Sequence, residues 1–302
     1  MMHSRSGRLL VTVCALVASA ILWSGASAQQ NLQNAVASGQ NIAPVYEGWE
    51  PNADGSFNLV FGYMNRNWDE EIEVPVGADN TLDPGGPDQG QPTHFFPRRN
   101  RFVYRVHVPK DFGTKEIVWT LTSHGKSEKA YGTLKPDYVI DDHVVMANIG
   151  AGGQLGNTPD LVGNVAPVLK VEGVKSRTVK AGESLSLVAV ATDDGKPRVR
   201  PMPPVLGGNR VLPNSATGLR LSWFVYRGPN TVTFDPPQTK VWEDTRDGGN
   251  SPWSAGWRTP PLPPEGKWTT QVTFRQPGKY VLRCLAHDGG LSAYEDVAIV
   301  VN

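Results

Sequence analysis

From Thr269 to Asn302 the chain alternates so regularly that few folds remain open to it. Val272 and Phe274 share one face, Pro277-Gly278 makes a turn, and Tyr280, Leu282, Cys284 and Ala286 share the next face. A polar loop then leads to Val297, Ile299 and Val301. Period two over segments of this length is the spacing of half-buried strands, so this stretch predicts the three closing strands of a β-sandwich. The rest of the chain agrees. Its 32 glycines and 25 prolines form close to a fifth of 302 residues, which favours many short strands and long loops. That length suggests two domains.

The first residues read as a targeting segment. Arg5 and Arg8 precede an apolar run from Leu9 to Trp23, and Ala26-Ser27-Ala28 offers the small residues of a signal-peptidase site, predicting a signal peptide over 1–28. A retained membrane anchor is the competing reading, but the run is shorter than the roughly 20 residues a span needs. Cys14 follows Val13, a poor context for lipid attachment. Cleavage leaves a net charge of −2, which offers no bulk attraction to nucleic acid or anionic lipid, and no membrane span. The expected location is secreted, periplasmic or extracellular, with cell-surface association open. Cleavage also leaves a single cysteine, Cys284, on the inward face of a strand, where it packs as a small apolar residue.

Residues 29–42 are polar and unpatterned, predicting a flexible N-terminus. An N-terminal sandwich is expected over 43–140. Strands are predicted at Tyr46 to Trp49 and Ser56 to Asn65, joined at Asp54-Gly55, and at Glu71 to Val76, where Pro75 argues for a sheet edge. Others are predicted at Phe102 to Val108, Glu116 to Ser123 and Ala130 to Leu134. Gly77 to Asn100 reads as a long loop with almost no regular structure. Many short strands without a helical stretch suit an immunoglobulin-like sandwich. Residues 141–165 read as a linker, with a last strand at Asp141 to Ala147 as one option and a glycine-rich remainder.

The C-terminal domain, 166–302, brings a more specific signal. AGESLSLVAVATDDGKP, LRLSWFVY and PGKYVLRCLAHDGGLSAYEDVAIVV together resemble bacterial extracellular Ig-like modules of the PKD and cadherin-like group. The resemblance implies that Trp223 is the core tryptophan and Tyr280 the tyrosine of the turn before the penultimate strand. The chain departs from PKD modules after the Trp strand, reading Phe224-Val225-Tyr226-Arg227-Gly228, and it carries two proline-rich insertions, Arg198 to Gly218 and Pro229 to Lys267. The fold class is thus all-β: two tandem immunoglobulin-like β-sandwiches after a cleaved signal peptide.

Three regions are candidate sites. In such a sandwich Asp193, Asp194 and Asp288 fall at the end facing the linker, where Asp142, Asp141 or Asp160 could complete an oxygen set for Ca²⁺, as between cadherin-like domains. The competing reading is that Asp-Gly pairs make turns. Trp242, Trp253, Trp257 and Trp268 lie in the 28 residues from Val241 to Trp268, in and just after the second insertion. They suit either a glycan-stacking platform or plugs that pack the insertion onto the sandwich. The loop Gly77 to Asn100 carries Asp79, Asp83, Asp88 and His94, and a structural or partner-contacting role is favoured over metal binding.

Catalytic motifs are missing: no Gly-x-Ser-x-Gly, no His-Glu-x-x-His, no phosphate-cradling loop and no cysteine pair. The expected function is a secreted, non-catalytic protein with a structural, adhesive or protein-interaction role at the envelope or matrix, through protein partners or self-association. The alternative is a carbohydrate-binding accessory module whose partner is a polysaccharide bound by the loop tryptophans.

Overall fold

The structure is a computed structural model, and it describes residues 37–149, 159–204, 215–229 and 231–302. The expected signal peptide lies outside the described residues, as does most of the glycine-rich segment after Ile149. Among the described residues no helix is long and apolar enough to cross a membrane.

The first sandwich contains β1 (Ile42–Pro51), β2 (Phe57–Asn65), β3 (Ile72–Glu73), β4 (Asn80–Asp83), β5 (His94–Phe95), β6 (Arg98–Val108), β7 (Ile117–Ser123) and β8 (Lys126–Gly132). One sheet runs β1-β2-β6, the opposing one β4-β7-β8, and β3 pairs with β5 as a small ribbon. In immunoglobulin lettering these sheets are A-B-E and C-F-G. The alternation of β2 sends Leu59, Phe61 and Tyr63 inward, and that of β7 sends in Ile117, Trp119 and Leu121. Trp119 is the centre of this core, with its ring edge-on to Phe61 and Tyr104 at 6.0 and 5.1 Å. Its indole N–H donates to Asn80 Oδ1 at 2.9 Å, so the polar end of a buried ring is satisfied by strand β4.

The second sandwich contains β9 (Val168–Val171), β10 (Ser176–Val179), β11 (Ser184–Thr192), β12 (Arg220–Arg227), β13 (Val232–Asp235), β14 (Lys267–Phe274), β15 (Gly278–His287) and β16 (Ser292–Val301). Its sheets run β13-β14-β11-β9 and β10-β16-β15-β12, the D-E-B-A and A′-G-F-C orders, with β10 parallel to β16. Leu187, Ala189 and Ala191 from one sheet meet Trp223, Leu282, Cys284, Ala286, Val297 and Ile299 from the other. Trp223 stands opposite Cys284 in register, and burial pushes that thiol well above the ordinary thiol range, leaving it an inert apolar filler. The Tyr280 hydroxyl donates to the carbonyl of Gln276 at 2.8 Å, closing a tyrosine corner. Tyr280→Phe is expected to cost about 1 kcal/mol, read from the midpoint of urea denaturation.

Several expectations change. Residues 37–42 are tied down, not loose: Gln40 N–H donates to Asn67 Oδ1 at 2.8 Å, and Ile42 is fully buried. The segment 77–100 is not structureless, since β4, β5 and the start of β6 lie in it, and the strand expected at 71–76 shrinks to β3. Instead of a strand at 141–147 the chain forms a helix, α1 (Asp142–Ile149), which buries Val145, Met146 and Ile149. Asp141 Oδ1 accepts the Val144 N–H at 2.8 Å and starts it. The second insertion supplies edge strand β13.

Candidate interdomain site

The long segment before β6 wraps the end of β12. Tyr226 donates its hydroxyl to the Gly90 carbonyl, and Thr93 N–H donates to the Tyr226 carbonyl at 3.2 Å. Arg227 Nε donates to the Gln91 carbonyl at 2.8 Å, and its fork reaches both oxygens of Asp88 at 2.8 and 3.1 Å. Tyr226 belongs by sequence to the second sandwich, yet its ring packs in the core of the first. The long loop here holds the other domain.

Cations and aromatic rings supply the rest of the joint. Arg283 is 5 % exposed, with its guanidinium 3.6 Å from the ring centre of Tyr226 and 3.8 Å from that of Tyr294. It forks onto Asp296, both bonds 2.8 Å, and donates across the joint to the Val103 carbonyl at 2.6 Å. Burial, the largest single influence, lowers its pKa, but the bonds to Asp296 together with the electrostatics of Tyr226, Asp296 and Tyr294 hold it above the ordinary guanidinium value. Arg105 forks onto Glu50 at 2.7 and 2.8 Å, Arg99 onto Glu47 at 2.7 and 2.8 Å, and Arg101 pairs with Glu243 of the second insertion. Arg246, from the same insertion, pairs with Asp69 and Asp244 and lies over Trp68 and Trp242. A third apolar cluster joins Val60 to Trp253, Leu291 and the buried side of α1.

Between these contacts is a cavity of about 170 Å³. Tyr63, Phe102, Phe224, Tyr226, Trp253 and Leu291 line it together with the arginines and Glu50, Glu243, His287, Ser292 and Tyr294. His287 Nδ1 accepts the Gly289 N–H at 2.8 Å, which places the ring proton on Nε2. Burial, and then the charge of Arg220, push its pKa well below the usual imidazole value, so the ring stays neutral.

The expected site residues separate into distinct places. Trp242 and Trp253 are 5 % and 7 % exposed, and Trp257 and Trp268 are half-buried. Trp242 packs under Lys240 and Arg246, Trp257 lies near Arg220 and donates to Asn250 Oδ1 at 3.1 Å, and Trp268 lies against the second core. Trp242 and Trp253 are spent on packing the insertion, and neither ring faces outward. Only Trp253 reaches the cavity.

Of the aspartates, Asp193 and Asp288 interact, burial first and then the charge of Asp193 raising the Asp288 pKa, whereas Asp160 and Asp142 are engaged elsewhere. Among the described residues no three His, Cys, Asp or Glu side chains are arranged to hold a metal ion. Asp193 and Asp194 accept the N–H groups of Gly195 and Lys196 at 3.0 and 2.9 Å, the local bonds of turns. Asp160 pairs with Arg198 and Arg200, and Asp142 opens α1 at the cavity edge. Asp288 is fully buried, accepting from Gly290, from Leu291 at 2.7 Å and from Asn164 Nδ2 at 3.1 Å. Burial pushes its pKa up to about 6 against these bonds. A raised carboxyl pKa means that the folded chain binds more protons than the unfolded one between the two values. Stability from this group therefore falls as pH rises from the ordinary carboxyl range to about 6. Asp288→Asn is expected to flatten that decline in a series of melting temperatures across this pH window.

What sequence reasoning missed is the joint itself. The guanidinium–carboxylate pairs that cross the joint join residues 139 to 177 positions apart, and no local motif marks them. The only signal was the length of the two inserted loops.

No protein-family model matches the chain, and no curated protein matches it. Among solved structures, it is similar to domains 4 and 5 of the S-layer protein SbsC at 10 % identity, covering 87 % of this chain and 98 % of that one with a TM-score of 0.22. It is similar to immunoglobulin domains 1–4 of Sidekick-1 at 10 % identity over 86 % of this chain and 47 % of that one, TM-score 0.23. For the D00-D0 domain of intimin the values are 10 %, 86 %, 100 % and 0.23. At these TM-scores the likenesses add nothing to the fold, which rests on the strand orders above.

Proposed function

We propose that the protein is a secreted, non-catalytic tandem of Ig-like sandwiches, bounded near 43–140 and 166–302, that acts as a rigid structural or adhesive spacer at the cell surface. The observation that carries this reading is the use of the long loops. Both reach across the joint, where ion pairs and packed rings bridge the two sandwiches and support a fixed angle between them. Structural spacers need that property, because a fixed geometry transmits position and force, whereas a flexible linker transmits neither.

Two of the carboxylates facing the cavity, Glu50 and Glu243, are each engaged by an arginine, which supports a non-catalytic role. The platform form of the glycan reading loses its support with Trp242 and Trp253 turned inward.

Surface labelling of intact producing cells tests the proposal. The expected result is a labelled, protease-accessible chain beginning at Gln29 that is retained on cells or shed in complexes. An internal chain that keeps Met1 would overturn it.

A further inference from the structure

We propose that the cavity between the sandwiches is a binding site for a single sugar ring of the neutral pyranose type. Its size sets the first limit. An engineered cavity of roughly 150 Å³ takes one benzene ring, so about 170 Å³ is room for one ring and its substituents.

Charge sets the second limit. The four guanidiniums that line the cavity are already matched: Arg99 with Glu47, Arg101 with Glu243, Arg105 with Glu50 and Arg283 with Asp296. No unmatched cation calls for a phosphate or carboxylate, and the matched acids offer nothing to a metal ion. What such pairs present to a guest is a donor beside an acceptor, the complement of adjacent hydroxyls. His287 adds an Nε2–H with no hydrogen-bond partner among the described residues, and with its neutral ring it donates at any physiological pH. Phe102, Trp253 and Leu291 add apolar surface of the kind that meets the C–H face of a pyranose. A ring-sized guest with one apolar face, many hydroxyls and no charge satisfies both limits and meets the apolar wall, and an apolar ring would leave the polar wall unpaired.

The inference does not depend on the surface role, because it is tested on the purified mature chain. Methyl glycosides of glucose, galactose, mannose and N-acetylglucosamine would be titrated into ¹⁵N-labelled protein, with benzene and inorganic phosphate as comparison probes. The expected result is saturable shifts at the Trp253 indole, Phe102 and Ser292 for at least one glycoside, with a Kd of millimolar order for so small a ligand. Ser292 is exposed at the cavity edge, so Ser292→Trp should weaken binding at least about tenfold without lowering the melting temperature. Asp142→Trp, at another exposed edge position, provides a second block if the first variant is unstable. Absence of glycoside shifts, response to benzene or phosphate alone, or glycoside binding that ignores both blocks would overturn the proposal.

Discussion

Arg283→Ala is expected to cost about 3 kcal/mol and to turn a single thermal transition into two. Three losses combine at this position. Asp296 is left without its fork, the Val103 carbonyl loses its donor, and Tyr226 and Tyr294 lose the cation between them. Breaking a buried pair by removing one partner costs about 3–5 kcal/mol, and the lower end applies because Asp296 keeps a third of its side-chain surface in water. The consequence is greater for the joint than for either core. With the stack gone, the second sandwich keeps its own core of Trp223 and Leu282, and the first keeps Trp119 and Phe61. Differential scanning calorimetry is the measurement. Arg283→Lys, which keeps charge but loses the fork, should lie between the two.

Trp119→Ala is expected to cost about 4 kcal/mol, the usual size for a buried tryptophan in a close-packed core. It should also reach the joint. Asn80 accepts from the indole, and its own amide donates to the carbonyls of Val74 and Pro92 at 2.9 and 2.8 Å, pinning both ends of the segment that grips β12. Without the indole donor, Asn80 is left with a buried, unpaired oxygen. Trp119→Phe should recover most of the packing energy but not this anchor. In urea denaturation the phenylalanine variant should therefore have a midpoint between the wild type and alanine, with faster hydrogen exchange at Thr93 in both variants.

These two residues also show where sequence reading works and where it stops. Trp119 lies in a strand whose alternation, Ile117, Trp119, Leu121, is visible without any structure, and so do Tyr280, Leu282 and Cys284. Alternation is a local property, and each inward residue announces itself by its neighbours. Strand β4 does not. Asn80-Thr81-Leu82-Asp83 has one apolar residue and becomes a strand only by pairing with Val118 to Leu121, nearly forty positions later. Helix α1 is a different miss. Val144, Val145, Met146 and Ile149 fit a helix face better than a strand, and Asp141 was a readable cap, but a short apolar run does not separate the two. The tryptophans of the second insertion were found, but not the direction they face, because burial of a loop ring is decided by contacts distant in sequence, as where Val60 of the first sandwich meets Trp253. Arg283 was passed over altogether. It alternates outward from its own sandwich core, and it is buried by Tyr226 on the neighbouring strand together with Val103 from the first sandwich.

A rigid joint is the central claim, and residual dipolar couplings in a weakly aligned sample test it most directly. If the account holds, couplings from β1, β2, β6 and β7 and couplings from β11, β12, β15 and β16 will fit one alignment tensor of one magnitude and orientation. Two tensors of different magnitude, one for each sandwich, would mean that the domains move independently, and would contradict it.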